Sequence, residues 1–325
     1  MKTRLFATAL IAALGLAAYA AKRDSRPDDL IAREWGTFTA VVGSDGFEVP
    51  WWTAVLEGPA ALPEFVRPPL NRFVLGKTGT AQFHSLLRME TPVIYFYSQE
   101  ALDLSVTVDS SKIRTTEVYP ATIPSKDFRN DRTEWRVRLA PPADPIGKAM
   151  PPVGARGAHY AHAREVPEAS WVVSKAGKEA PVEVEKFIFY RGAGNVTMPK
   201  RIYGVSDQGP LLIPGKEPLY LVEVEESGLR WKRIEPSSEE NQGTVEIARP
   251  SLDASANNDE SALASELVVH LTSSGLTQAE ASAMVKTWRE AWLGEKGLRL
   301  LEILPREWVD QTLPLAISPA PSKLE

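Results

Sequence analysis

The sequence predicts a mainly β protein, built of antiparallel sandwich-like layers with a C-terminal helical hairpin packed on the sheet. Three observations carry this. First, the runs Val93-Ile94-Tyr95-Phe96-Tyr97 and Phe187-Ile188-Phe189-Tyr190 are short, β-branched and aromatic, and apolar throughout. Such runs read as core strands covered on both faces. Second, Leu102, Leu104, Val106 and Val108 alternate with Asp103, Ser105, Thr107 and Asp109, and Trp135, Val137 and Leu139 alternate with Glu134, Arg136 and Arg138. A period of two with one dry and one wet face is the mark of antiparallel sheet. Third, apolar residues take up helical spacing only beyond residue 260.

The chain opens with Lys2 and Arg4, an apolar run from Leu5 to Ala18, and Ala18-Tyr19-Ala20 before charge resumes at Lys22. Basic start, short apolar middle and small-residue end make residues 1–20 a signal peptide and the protein periplasmic or extracellular. The absence of cysteine excludes lipidation at that cleavage site, a disulfide framework, zinc-thiolate sites and a cysteine nucleophile. Residues 21–325 must therefore fold on a hydrophobic core, and they are numerous enough to do so. They carry 35 basic against 42 acidic residues, a net charge of about −7. That balance argues against nucleic acid and anionic lipid as partners. No segment after the signal is long and apolar enough to cross a membrane.

Residues 27–140 form an N-terminal β region. Arg33 to Val42 is β-rich, and Ser44-Asp45-Gly46 turns it into a hairpin with Phe47-Glu48-Val49. Pro50-Trp51-Trp52 and the proline-dense stretch 59–69 read as irregular chain, whose tryptophans cap a core or stack on a ligand. Residues 141–157, with five prolines and three glycines, form a long loop. A second β region, 158–250, holds Trp171 to Val173, the Phe187 core strand, and a hairpin of Leu219–Val224 and Leu229–Ile234 about Ser227-Gly228.

Residues 251–325 supply a linker, the helical hairpin and closing strands. Leu263, Leu267, Val268 and Leu271 define a first helix that stops near Gly275. Thr277 and Glu280 have capping-box spacing, each able to satisfy a free N–H of the first helical turn. Ala281, Met284, Val285, Trp288 and Trp292 share one face of the second helix, and Gly294 is placed to end it. Leu298–Leu304, closed by Pro305, reads as a buried strand, and Leu313, Leu315 and Ile317 as a shorter one.

The stretches Glu34-Trp35-Gly36-Thr37-Phe38-Thr39, Met89-Glu90-Thr91-Pro92-Val93-Ile94-Tyr95-Phe96-Tyr97, Glu185-Lys186-Phe187-Ile188-Phe189-Tyr190-Arg191-Gly192 and Met284-Val285-Lys286-Thr287-Trp288 resemble a family of exported bacterial proteins of unknown function. The resemblance spans most of residues 21–325 and implies bacterial origin and one shared architecture. It implies no activity and no catalytic residue. The chain departs from that pattern at Val118, where tryptophan is expected.

Chemistry is sparse. His159-Tyr160-Ala161-His162-Ala163-Arg164-Glu165 gathers two of the four histidines and a carboxylate in seven residues. On a strand His159 and His162 would point to opposite faces, so a shared metal ion is disfavoured and Glu165 keeps parity with His159. His159, Arg164 and Glu165 are therefore candidates for acid–base or anion-binding work, against a structural reading in which the histidine is simply satisfied at a strand start. Gly192-Ala193-Gly194 lacks the third glycine of a dinucleotide loop, Gly76-Lys77-Thr78 lacks the first glycine of a phosphate loop, and no Gly-x-Ser-x-Gly occurs. No cofactor or metal is expected. Glu34, Glu90 and Glu117 lie beside aromatics at strand ends, and Trp51, Trp52 and Tyr160 could stack on a ring. Taken together the residues suggest an exported binding or envelope-associated structural protein, with a secreted hydrolase, acting for instance on glycan through His159 and those glutamates, as the alternative.

Overall fold

The structure, a computed structural model, describes residues 29–43, 45–54, 62–69, 82–123, 131–155, 157–174, 181–199, 202–206, 209–212, 217–235, 245–246 and 257–325. The signal segment 1–20 and linker residues 250–256 lie outside the described residues. In chain order the strands are β1 (Ile31–Thr39), β2 (Trp51–Ala54), β3 (Gln82–Ser85), β4 (Leu87–Tyr97), β5 (Leu102–Asp109), β6 (Ile113–Tyr119), β7 (Arg132–Ala140), β8 (Trp171–Ser174), β9 (Glu183–Glu185), β10 (Ile188–Gly194), β11 (Ile202–Ser206), β12 (Gly209–Leu212), β13 (Leu219–Glu225), β14 (Gly228–Ile234), β15 (Val245–Glu246), β16 (Gly297–Glu302), β17 (Leu315–Ser318) and β18 (Lys323–Leu324). The α-helices are α1 (Glu260–Ser273), α2 (Gln278–Arg289) and α3 (Arg306–Thr312), and a 3₁₀ helix spans Ala158–Arg164.

The protein is mainly β, as its alternating apolar pattern requires. The two aromatic core runs lie side by side: β4 and β10 are antiparallel neighbours, with Ile188 opposite Ile94 and Phe189 opposite Val93. The central sheet has the order β18-β1-β4-β10-β6. Because β10 sits between β4 and β6, the two β regions of the chain share one sheet. A second five-stranded sheet, β17-β5-β7-β8-β9, stacks on one face of it. Met89, Ile94, Phe96, Ile188 and Tyr190 pack there against Val106, Trp135, Leu139 and Val172, a sandwich core of two inner faces. Trp135 is fully buried and its indole N–H donates to the Pro120 carbonyl at 2.9 Å.

The other face of the central sheet carries Trp35, Val93, Tyr95, Tyr119, Phe187 and Phe189, and this aromatic surface is covered by Tyr160 and Ala163 of the 3₁₀ helix and by Ala283, Met284 and Trp288 of α2. The helical hairpin thus docks as its apolar face predicts. From its other side Val285, with Leu263 and Leu267 of α1, packs on Tyr220, Val222 and Trp231 of a third sheet, β14-β13-β16. The helices are therefore a layer between two sheets.

The predicted capping box is formed: Thr277 Oγ1 accepts from the Glu280 N–H at 3.2 Å, and Glu280 Oε2 accepts from the Thr277 N–H at 2.7 Å. Local expectations change. Among the described residues the expected hairpin is reduced to one isolated bridge, Val42 to Glu48, while the long partner of β1 is β4. Gly294 does not stop α2 directly, because the helix widens into a π turn over Glu290–Gly294. Pro305 closes β16 but also caps the short helix α3, consistent with proline's tolerance at helix starts, and β16 is a half-buried edge strand rather than a buried one.

Candidate functional site

Side-chain alternation sorts the central sheet into two faces. Leu87, Met89, Val118 and Tyr190 point into the sandwich. Their neighbours Arg88, Glu90, Glu117 and Arg191 therefore point toward the helices, continuing the aromatic face of Phe187 and Phe189. The alternation is reset in β4 by a bulge: Trp35 pairs with Val93 but Thr37 pairs with Glu90, so Thr91-Pro92 together oppose Gly36. Proline suits the bulge because it has no N–H to pair. Glycine suits the position opposite, where a Cβ would lie 2.8 Å from the Pro92 Cα.

This arrangement gathers four charges on three adjacent strands. Arg88 Nη2 pairs with Glu90 at 2.7 Å, and the other Glu90 carboxylate oxygen accepts from the Thr39 hydroxyl at 3.3 Å. Arg191 stands directly opposite Glu117 across β10 and β6. Arg191 is only 6% exposed, yet among the described residues its Nε and Nη1 have no hydrogen-bond partner. Burial pulls its pKa below the usual guanidinium range, with Glu90 and Glu117 opposing that shift, and the group remains a cation at neutral pH. His159 descends on the cluster from the 3₁₀ helix. Burial, then the Arg191 charge and His162, hold its pKa below the ordinary value, so the ring is neutral at pH 7.

His159, Glu90 and Arg191 line a cavity of about 1180 Å³ that runs along the outer edge of β1 and is walled on the helix side by Trp288 and Trp292. Those two indoles are stacked, with centroids 6.1 Å apart and planes 14° off parallel. Trp288 Nε1 is likewise buried without a partner among the described residues. Trp35 also lines the cavity, and its Nε1 lacks a well-formed hydrogen bond although the Tyr95 hydroxyl lies beside it.

The remaining sequence candidates divide differently. Arg164 does not reach the cavity: it forms a bidentate ion pair with buried Glu185, at 2.7 Å from Nη2 and 3.1 Å from Nε, and donates to the Pro151 carbonyl. Tyr160 is a fully buried core ring whose hydroxyl donates to the same carboxylate at 3.2 Å. Glu165 is exposed and pairs with Lys286 at 2.5 Å and His162 Nδ1 at 2.8 Å. It meets His162 rather than His159 because the segment is a 3₁₀ helix, in which residues three apart eclipse. Glu34 lines the cavity from the sandwich side, hydrogen-bonded to Tyr190, and burial pushes its carboxyl up to about 7. Since Glu90 faces the helices, the sheet separates these two carboxylates. Trp51 and Trp52 fall on β2, and their side chains lie outside the described residues. Among the described residues no three His, Asp or Glu side chains are grouped as a metal site needs.

Arg191, Trp35, Trp288 and Trp292 were not legible as site residues. Arg191 alone left a signal, a charged residue continuing the aromatic parity of Phe187 and Phe189.

No family model, no curated protein and no solved structure matches this chain. What the arrangement can do follows from its own chemistry. A buried cation with unused donors, a neutral histidine and stacked indoles are suited to holding a polar group on an apolar body.

Proposed function

We propose that this is an exported binding protein, which takes a ligand into the cavity between β1, the 3₁₀ helix and the α2 end and releases it unchanged. The observation that carries the reading is that the residues lining one cavity include several whose buried donors lack acceptors among the described residues, beside a wall of stacked aromatics. Buried polar groups are satisfied in nearly all native proteins, so donors left over in a cavity mark where a partner goes. The reading of export rests on residues 1–20. Arg164 and Glu165, held in ion pairs away from the cavity, are structural.

A hydrolase is the second reading, favoured by His159 and Glu90 lining the same cavity. A neutral imidazole near a carboxylate can act as a general base. Glu34 and Glu90 do not make a glycosidase pair, because they project from opposite faces of the sheet.

A binding-and-turnover screen of the purified protein against glycans and envelope polymers, with and without chelator and alongside His159→Ala, tests both. Retention with no product supports the binding protein. Product formation that survives chelation and is lost in His159→Ala replaces it with the hydrolase.

A further inference from the structure

We infer that the cavity is a carboxylate site, in which Arg191 receives the acid group of a ligand whose apolar body lies along Trp288 and Trp292. This rests on the binding reading above and names the ligand class. Its starting point is Arg191, whose Nε and Nη1 are buried and without acceptors among the described residues. A guanidinium in this state has lost water at two nitrogens and regained nothing for them, a cost that a bound anion would reverse. Two open donor nitrogens on a cation call for an anion rather than a lone carbonyl, and planar guanidinium groups pair well with carboxylates.

The surrounding charges decide which anion. Arg88 is already paired with Glu90 at 2.7 Å, and Glu117 stands opposite Arg191. Two positive and two negative groups leave the face neutral before a ligand arrives. One more negative charge can be held against Arg191, but the second charge of a phosphate would meet Glu90 and Glu117. Trp288, which lines the same cavity, adds a further open donor, its Nε1. The parallel stack of Trp288 and Trp292 gives that body a flat apolar surface.

The test is a calorimetric titration of the purified protein with benzoate, indole-3-acetate and galacturonate, each against its neutral amide, and with phosphate and sulfate. At least one carboxylate should bind about ten-fold or more tightly than its amide, as loss of a charge-assisted hydrogen bond implies. That preference should shrink to less than about three-fold in Arg191→Met and fall in part in Trp288→Phe, which keeps a ring and removes the N–H. Because Arg191→Met can unfold beside two glutamates, Arg191→Lys is measured in parallel; it keeps the charge and should lose most of the preference. Equal binding of acid and amide, tighter binding of phosphate or sulfate, no binding of any carboxylate, or a preference untouched by the Arg191 and Trp288 substitutions would each overturn the inference. The binding-protein reading is separated from it by the polymer screen: a neutral glycan retained without any carboxylate preference removes this site chemistry and leaves that reading intact.

Discussion

Tyr97 donates its hydroxyl to the buried carboxylate of Glu280, the same carboxylate that closes the capping box of α2. One side chain thus starts the helix and ties it to the central sheet, with Arg33 Nε 4.0 Å away. Glu280→Ala should therefore lower stability by about 2–4 kcal/mol, a cap plus a charge-assisted hydrogen bond. Tyr97→Phe should cost about 1–2 kcal/mol, and a double-mutant cycle in urea should give at least about 1 kcal/mol of coupling. Additive losses would mean that the two groups do not share a bond.

Arg164 and Glu165, adjacent in sequence, should behave in opposite ways. Removing Arg164 with methionine leaves the fully buried Glu185 without its cation, at a cost of about 3–5 kcal/mol. Glu165→Ala removes only exposed pairs and should change stability by less than about 1 kcal/mol. Ligand retention should survive Glu165→Ala unchanged. Equal thermal stability of the two variants would contradict these assignments.

The parts of this protein that were legible in its sequence are those set by neighbours in the chain. The capping box could be read because Thr277 and Glu280 are three residues apart and bond each other's backbone. The core strands could be read because Val93 to Tyr97 and Phe187 to Tyr190 are apolar throughout. That β4 and β10 pair is a property of residues nearly a hundred positions apart, and no local pattern states it. The assembly of the site is not legible for the same reason. His159 and Glu90 stand out singly as candidates, but they and Arg191 come from a 3₁₀ helix and two strands, and only the sheet order brings them together. Where local geometry was misjudged, the error propagated: treating His159 to Glu165 as extended paired Glu165 with His159, whereas the 3₁₀ helix pairs it with His162. Likewise the pattern around Pro305 marks a strand end but not the helix α3 that begins there.

The Glu34 carboxyl predicts a pH dependence. Burial raises it from the ordinary 4.5 to about 7, against the opposing pull of the Tyr190 hydrogen bond and Arg306. Below pH 4.5 both folded and unfolded states hold the proton. Between 4.5 and about 7 the unfolded state ionises while the folded state does not, so this group's contribution falls as pH rises and is fully lost above about 7. Relative to wild type, Glu34→Gln should gain about 2–3 kcal/mol of stability between pH 4 and pH 8. A difference that stays constant over that range would show that the carboxyl titrates normally.

The proposed export gives a chemical prediction. Mass spectrometry of the protein recovered from a bacterial host that secretes it should find a chain beginning at Ala21, in the periplasm or the medium. An intact Met1 on protein confined to the cytosol would end the assignment.

The central claim is that a ligand sits in the cavity beside Arg191 and is not transformed there. Amide hydrogen exchange of the purified protein, with and without a ligand retained in the screen, tests it most directly, because backbone protection reports where the ligand rests. Slowed exchange at residues 34–39, 158–164 and 284–292, with the outer sandwich strands β5 and β7 unchanged and the ligand recovered intact, is the result predicted. Protection confined to other surfaces, or recovery of a cleaved ligand whose cleavage depends on His159, would contradict it.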